Sequence, residues 1–246
     1  MFQKLLMLIP STRDQWMKDF LDRWQFPFCC GAIDEKHVLI QNPPHGASDY
    51  YNYKDVGING RMNGSHIWEK KTFYSALASN NLELPNKADF IGDDAFPLTI
   101  NLMKRCSRHE GLEYKQKLFN YRLPRARRIV EYAFGIIASG FRVYRKPISV
   151  SLDKTDSITK ATCALHNWLR TNRIYMNTPE LIDEQDFSSG TIREGSWRSI
   201  PVEEVVKIIT PLSSNNYSRN AKDLRDRFGD YFVGPGRIPW QDRMIV

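Results

Sequence analysis

Residues 124–140 have the sequence PRARRIVEYAFGIIASG, the strongest helical pattern in the chain. Pro124 stands at what we predict to be the first position of the helix, where its missing N–H is not needed. Gly140 predicts the end of the helix. Apolar residues recur at helical spacing, so one face of the helix is expected to be buried. Glu131 lies on the same helix but is not a member of that face. The members of the predicted buried face are Ile129, Val130, Ala133, Phe134 and Ile137.

Two shorter segments before this helix have the character of strands. Residues 29–41 (CCGAIDEKHVLIQ) carry apolar residues on both alternations, which is typical of a strand covered on both faces in the middle of a sheet. Residues 88–96 (ADFIGDDAF) form a shorter candidate strand that ends in acidic residues. Pro97 then predicts the start of another helix that runs to residue 105.

The remaining pattern predicts further helices at residues 15–24, 72–78, 154–170 and 220–232, with an irregular polar stretch at 172–199. Residues 42–66 consist mostly of Asn, Gly, Pro, Ser and Tyr and predict no element. Such a long structureless stretch between two well-formed elements is unusual in a compact domain.

The composition is that of a globular protein with a basic character. Of the 246 residues, 41% are apolar, and no apolar run approaches the roughly 20 residues that a membrane helix needs. The four cysteines include no C-x-x-C pair, which argues against a zinc ribbon or disulfide framework and favours a reducing compartment. The net charge is +7, and between Lys104 and Lys146 twelve Lys and Arg residues stand against three Glu. This favours an anionic partner, the alternative being a solvated basic surface.

Three carboxylates stand on elements that would hold them rigidly. Asp34 lies within the first predicted strand, Asp93 at the end of the second, and Glu131 on the long helix. Divalent-metal phosphoryl chemistry needs a few carboxylates held close together on such supports. Each also has a plainer interpretation: Asp34 as a turn residue, Asp93 as a helix cap, and Glu131 as the partner of an arginine one turn earlier.

Six blocks of the sequence, together with its tail, carry a family resemblance. The blocks are GAIDEKHVLI (31–40), YYNYK (50–54), DVGINGR (55–61), FIGDDAFPL (90–98), FNYRLPRARRIVEYAFGIIASGFRVY (119–144) and CALHNWL (163–169). They resemble, in the same order, the blocks of Harbinger-type transposases and of their domesticated nuclease descendants. The coverage runs from about Asp14 to Arg170, and the tail AKDLRDRFGDYFVGPGRIPWQ (221–241) is similar to the end of such proteins.

The resemblance implies an α/β fold of the RNase H-like kind, a mixed sheet flanked by helices. It also implies two aspartates and a glutamate that bind a divalent metal, Mg²⁺ or Mn²⁺. Matched block by block, Asp34, Asp93 and Glu131 would be both the catalytic residues and the metal ligands. The implied function is metal-dependent hydrolysis of DNA phosphodiester bonds, as in an endonuclease or transposase. The DNA-binding residues would be Arg122, Arg125, Arg127 and Arg128.

The chain departs from the family pattern at two places. Glu35 follows Asp34 where the family usually has glycine. After Lys54, relatives have about twenty further residues, enough for the second strand and much of the third. Here the DVG block follows Lys54 directly. The expected sheet therefore lacks its second strand and part of its third, and catalysis is expected to be impaired.

The predicted organisation is an N-terminal helical lead-in at residues 1–27, a nuclease domain at 28–172 and an irregular C-terminal extension with a terminal helix at 173–246. The resemblance implies DNA as a partner, a separate Myb/SANT-like DNA-binding protein as a second one, and a location in the nucleus or also the cytoplasm. The lack of a long apolar run predicts no association with a membrane. Two alternatives stay open. One is a domesticated, non-enzymatic module that binds DNA or protein, and the other is a non-functional product of a truncated or mis-spliced element.

Overall fold

The computed structural model describes residues 13–34, 36–41, 75, 89–107, 111–171, 184–186, 189–199, 206–208 and 217–245. The helices with described bounds are α1 (Arg13–Trp24), α2 (Tyr114–Gly140), α3 (Leu152–Thr171) and α4 (Arg219–Val233). The strands are β1 (Cys29–Ala32), β2 (Lys36–Val38), β3 (Asp89–Ile91), β4 (Leu102–Met103), β5 (Glu184–Gln185), β6 (Ile192–Arg193) and β7 (Val206–Ile208). Within these ranges, no helix combines the length and apolar character needed to span a membrane.

The main sheet has three parallel strands in the order β1-β3-β4. Ala32 of β1 pairs with Ile91 of β3, which in turn pairs with Met103 of β4. Because the strands are parallel, their carboxyl ends meet at one edge of the sheet. Two antiparallel pairs, β2 with β7 and β5 with β6, stand apart from it. A small parallel sheet combined with helices confirms the predicted α/β class.

The interval around Lys54, where the sheet is predicted to be incomplete, lies outside the described residues. So does the helix predicted at 72–78, apart from Ser75, which is helical. The missing strands and the RNase H-like detail therefore stay predictions.

The single strand predicted at 29–41 is wrong, because the chain forms two strands there, in different sheets. β1 ends at Ala32, and β2 begins at Lys36 and pairs with β7. As far as the described strands extend, β1 has only β3 beside it and lies at the end of the sheet, not in its middle. The apolar residues serve two separate environments, since Cys29 belongs to the main core and Ile40 to a smaller cluster.

The helix predicted at 97–105 is also wrong. Thr99 and Leu102 exchange backbone hydrogen bonds of 3.0 and 3.3 Å in a turn, from which the chain enters β4. Leu102 and Met103 are fully buried and pair with β3. Pairing with the sheet thus outweighs the local helix-start signal of Pro97.

The long helix α2 begins at Tyr114, ten residues before Pro124, which lies inside it. Glu113 and Gln116 form a capping box at its start, and the predicted end at Gly140 is confirmed. The earlier start brings further apolar turns into the helix, and these help to set which side packs inward. The predicted buried face is therefore wrong. The residues actually buried are Leu118, Phe119, Arg122, Leu123, Arg125, Ala126, Tyr132, Ile136, Ala138 and Ser139.

One core joins the helices to the main sheet. It takes Phe20 and Trp24 from α1, and Phe228 and Phe232 from α4, alongside residues of α2 and the strands. Phe26 is fully buried, and its ring stacks on that of Phe228 with centroids 5.3 Å apart. The predicted lead-in (1–27), nuclease domain (28–172) and C-terminal extension (173–246) thus contribute to one core in this structure.

Candidate functional site

Asp34 lies just beyond the carboxyl end of β1, in the break before β2. The chain is still attached to the sheet one residue earlier, where the Ile33 amide donates to the Ile91 carbonyl at 2.8 Å. The Asp34 side chain is only 2% exposed. A buried carboxylate is costly unless it is paired, and Arg127 of α2 lies 3.2 Å from it, Nη1 to Oδ1.

Arg127 also contacts the glutamate on its own helix. Its Nη2 donates to Glu131 Oε1 at 2.8 Å, one helical turn further on. One guanidinium therefore joins a carboxylate beside the sheet to a carboxylate on α2. The Arg127 side chain is 15% exposed and that of Glu131 33%, so this bridge lies mostly below the surface.

Asp93 lies beyond the end of β3, in a position equivalent to that of Asp34. Ala32 and Ile91 are paired, and each aspartate follows its paired residue by two positions. The pKa of Asp93 is raised, mainly by burial. The hydrogen bond from the Ala95 amide and the charge of Arg127 lower this pKa, whereas the negative charge of Asp34 raises it further. Asp34, Asp93 and Arg127 therefore share one electrostatic environment at the edge of the sheet.

The Asp93 carboxylate also has a local structural task. Its Oδ1 accepts a hydrogen bond from the Ala95 amide at 2.9 Å, which closes the turn after β3. The predicted role as a helix cap is replaced by this turn, because no helix begins at Pro97. Its neighbour Asp94 points elsewhere and forms an ion pair of 2.6 Å with Arg105.

Lys104 adds a buried cation that the sequence interpretation missed. It follows β4 directly and is 5% exposed, with Nζ donating to the Asp94 carbonyl at 3.4 Å. Burial lowers its pKa, while the charges of Asp94 and Asp93 act in the opposite direction. Its signal in the sequence would have been a lysine at the carboxyl end of a strand, but β4 was itself predicted as helix.

Two of the four arginines predicted to bind DNA lie in the interior. Arg122 is fully buried and its Nη2 donates to the carbonyls of Gln25 and Gly236 at 2.7 and 3.3 Å. Arg125 is 4% exposed, and its guanidinium lies over the Trp240 ring, 4.4 Å from the centroid. Burial lowers the pKa of each guanidinium to about 10. The prediction that Arg122 and Arg125 contact a DNA backbone is therefore corrected, because both bind the protein's own interior.

The other two arginines differ from these. Arg127 and Arg128 are half-buried and retain some solvent exposure. A phosphate contact by either stays a prediction.

The three carboxylates are of the right chemical kind for a hard divalent cation. In the described part of the chain, however, no group of three or more His, Cys, Asp or Glu side chains is arranged to hold a metal ion. The Arg127 guanidinium bridges Asp34 and Glu131 and supplies positive charge there. As arranged, these residues do not fit a bound metal.

Comparison with known proteins gives a match to a family model. Residues 51–167, just under half of the chain, match the model of a family described as DDE superfamily endonuclease. The matched segment includes Asp93, Arg127 and Glu131, whereas Asp34 precedes it. No curated protein and no solved structure matches the chain. DDE superfamily nucleases generally use divalent metals, and a nuclease domain of this kind implies a DNA substrate.

Proposed function

We propose that the chain is a nuclease of the DDE type, related to Harbinger transposases, that acts on DNA phosphodiester bonds. The observation that carries the proposal is the position of Asp34 and Asp93, each two residues beyond a paired position of adjacent parallel strands. Glu131 reaches the same region from α2 through Arg127. The family match over residues 51–167 supports this assignment, because it contains both Asp93 and Glu131.

In this proposal the three carboxylates are the acidic residues at which nucleases of this class carry out their chemistry. Arg127 and Arg128 would approach the substrate phosphates, and Lys104 would offset the negative charge beside Asp93. The net charge of +7 supports DNA as the partner. A separate Myb/SANT-like protein would supply sequence recognition, and the nucleus, or also the cytoplasm, would be the location.

The experiment is a nicking assay on supercoiled plasmid with Mg²⁺ or Mn²⁺ in the buffer. Two neighbouring aspartates provide a matched pair of variants. Asp93→Asn should abolish nicking, because it neutralises a carboxylate at the sheet edge. Asp94→Asn should retain it, because Asp94 forms an ion pair with Arg105 instead. Nicking that survives Asp93→Asn would refute the proposed role of this carboxylate.

The alternative is a domesticated module that binds DNA or protein without cleaving it. It is favoured by the Arg127 bridge, which ties up Asp34 and Glu131 in ion pairs within the protein. This alternative predicts DNA binding that is the same for the unaltered chain and for Asp93→Asn, with no nicking by either.

A further inference from the structure

The bridge formed by Arg127 places a positive charge among the carboxylates that a cation would need. Its Nη1 lies 3.2 Å from Asp34 Oδ1 and its Nη2 lies 2.8 Å from Glu131 Oε1. A magnesium ion holds its carboxylate oxygens at about 2.0–2.1 Å and in near-octahedral geometry. The guanidinium contacts both oxygens, and while it does so it excludes an ion that would use the same two oxygens.

We infer that Arg127 is an internal counter-ion at the sheet edge, and that Asp34 and Glu131 do not hold a divalent ion together while the guanidinium bridges them. This inference rests on the proposed function for its biological meaning. Its physical content concerns the binding of a cation and is independent of DNA cleavage.

Burial explains why the counter-ion is needed. The Asp34 side chain is 2% exposed, and an uncompensated charge at that depth is strongly unfavourable. Arg127 is well placed to compensate it, because α2 holds the arginine beside the sheet while Glu131 orients the guanidinium from the next turn. A single guanidinium thus offsets part of the negative charge of the two carboxylates.

The bridge also implies that metal and DNA assist each other. A guanidinium displaced by a metal loses two carboxylate partners, and a phosphodiester offers it equivalent charge-assisted hydrogen bonds. DNA would therefore draw Arg127 away from Asp34 and Glu131 and increase the metal affinity. By linkage, the metal would increase the DNA affinity by the same factor.

The test is the affinity for Mn²⁺, measured by isothermal titration and by the electron paramagnetic resonance of free Mn²⁺. Arg127→Gln removes the competing charge. If the bridge is populated about nine-tenths of the time, this variant should bind Mn²⁺ about tenfold more tightly. Lys117→Gln is the control on the same helix, because Lys117 is an exposed cation outside the proposed site, and it should leave the Mn²⁺ affinity unchanged. A short DNA duplex should increase the Mn²⁺ affinity of the unaltered chain but not that of Arg127→Gln.

An equal Mn²⁺ affinity of Arg127→Gln and the unaltered chain would overturn the inference, as would an equal gain for Lys117→Gln. Nicking results do not enter this comparison. A chain that never cleaves DNA but gains Mn²⁺ affinity in Arg127→Gln would support the inference and refute the proposed function.

Arg127→Gln also removes an ion-pair partner of the buried Asp34, so it could prevent folding. The unaltered protein then provides the measurement. The Arg127 Nε–H resonance, assigned by its loss in Arg127→Lys, should shift during a Mg²⁺ titration because the guanidinium changes partners. An Arg127 resonance that stays unchanged when Mg²⁺ is bound would overturn the inference.

Discussion

The side-chain amide of Asn120 is bonded to both backbone groups of Cys106. Its Oδ1 accepts from the Cys106 amide at 2.7 Å, and its Nδ2 donates to the Cys106 carbonyl at 3.0 Å. Asn120 lies on α2 and Cys106 lies three residues beyond β4, so this pair fastens the helix to the chain that leaves the sheet.

Asn120→Ala should therefore destabilise the fold. Both backbone groups of the buried Cys106 lose their partner, and an unsatisfied buried group costs about 1–3 kcal/mol. Urea unfolding measures the effect. Asn120→Asp keeps the acceptor but loses the donor, so its unfolding midpoint should lie between those of Asn120→Ala and the unaltered protein. Equal unfolding midpoints for Asn120→Ala and the unaltered protein would contradict this account.

Gly92, which precedes Asp93, is expected to tolerate no side chain. A Cβ there would lie 2.9 Å from Phe96 Cδ2 and 3.3 Å from Leu102 Cδ1, and both of those side chains are buried. Gly92→Ala should cost about 1–3 kcal/mol by overpacking. Gly111→Ala is the matched control, since a Cβ at Gly111 meets nothing within 4 Å. Similar thermal melting temperatures for the two variants would show that the contact at Gly92 is not restrictive.

Arg122 and Arg128 should separate stability from DNA binding. Arg122→Ala removes a buried side chain and its bonds to Gln25 and Gly236, so the free energy of unfolding should fall by about 3 kcal/mol or more. Arg128→Ala should change stability little. If Arg128 contacts one phosphate, its loss should reduce the slope of log affinity against log salt by about 0.9. The two roles would be reversed if Arg122→Ala folded fully but bound DNA more weakly, while Arg128→Ala kept the salt dependence of the unaltered protein.

Asp89 should make the stability depend on pH. It is 3% exposed, and burial raises its pKa to about 8. The folded state therefore keeps its proton between about pH 4 and pH 8, where the unfolded chain has released it. Because the folded state binds more protons in that window, this residue's contribution to stability falls as the pH rises through it.

The isosteric Asp89→Asn removes the titration. The difference between the melting temperature of Asp89→Asn and that of the unaltered protein should increase from about pH 4 to about pH 8 and stay constant above about pH 8. Two melting profiles that run parallel across this range would mean that the folded-state pKa of Asp89 is close to its ordinary value.

The sequence was sufficient for elements with a strong local pattern. α1, α3, α4 and the end of α2 lie close to where they are predicted, because apolar spacing and helix-end residues are local signals. The strands were less accessible, since whether Leu102 and Met103 form a strand or a helix depends on β3, which no local pattern of residues 97–105 reveals.

The sequence named the carboxylates of the candidate site but not their arrangement. Asp34, Asp93 and Glu131 were singled out by their places on predicted elements and then matched through the family resemblance. The structure brings all three into the surroundings of Arg127. The spacing of Arg127 and Glu131 allowed their pairing to be considered from the sequence. The full bridge could not be predicted, because Asp34 is distant from Arg127 in the sequence. Arg122 and Arg125 were misassigned because a cationic side chain on a helix is expected to face solvent. Here Arg122 donates to a backbone carbonyl and Arg125 lies over an aromatic ring in the interior.

The packing of α4 on α2 has a consequence for synthesis on the ribosome. About ninety residues separate Gly140, the last residue of α2, from Phe232, which lies in the core beside Phe119 with ring centroids 6.4 Å apart. At about 5–20 residues per second, translation needs about 5–20 seconds to cover that distance. During this interval the face of α2 that receives α4 has no native cover and is open to chaperones or to other nascent chains. Removal of α4 should therefore trap the chain in a nascent-like, aggregation-prone state even though every carboxylate of the sheet edge is still present.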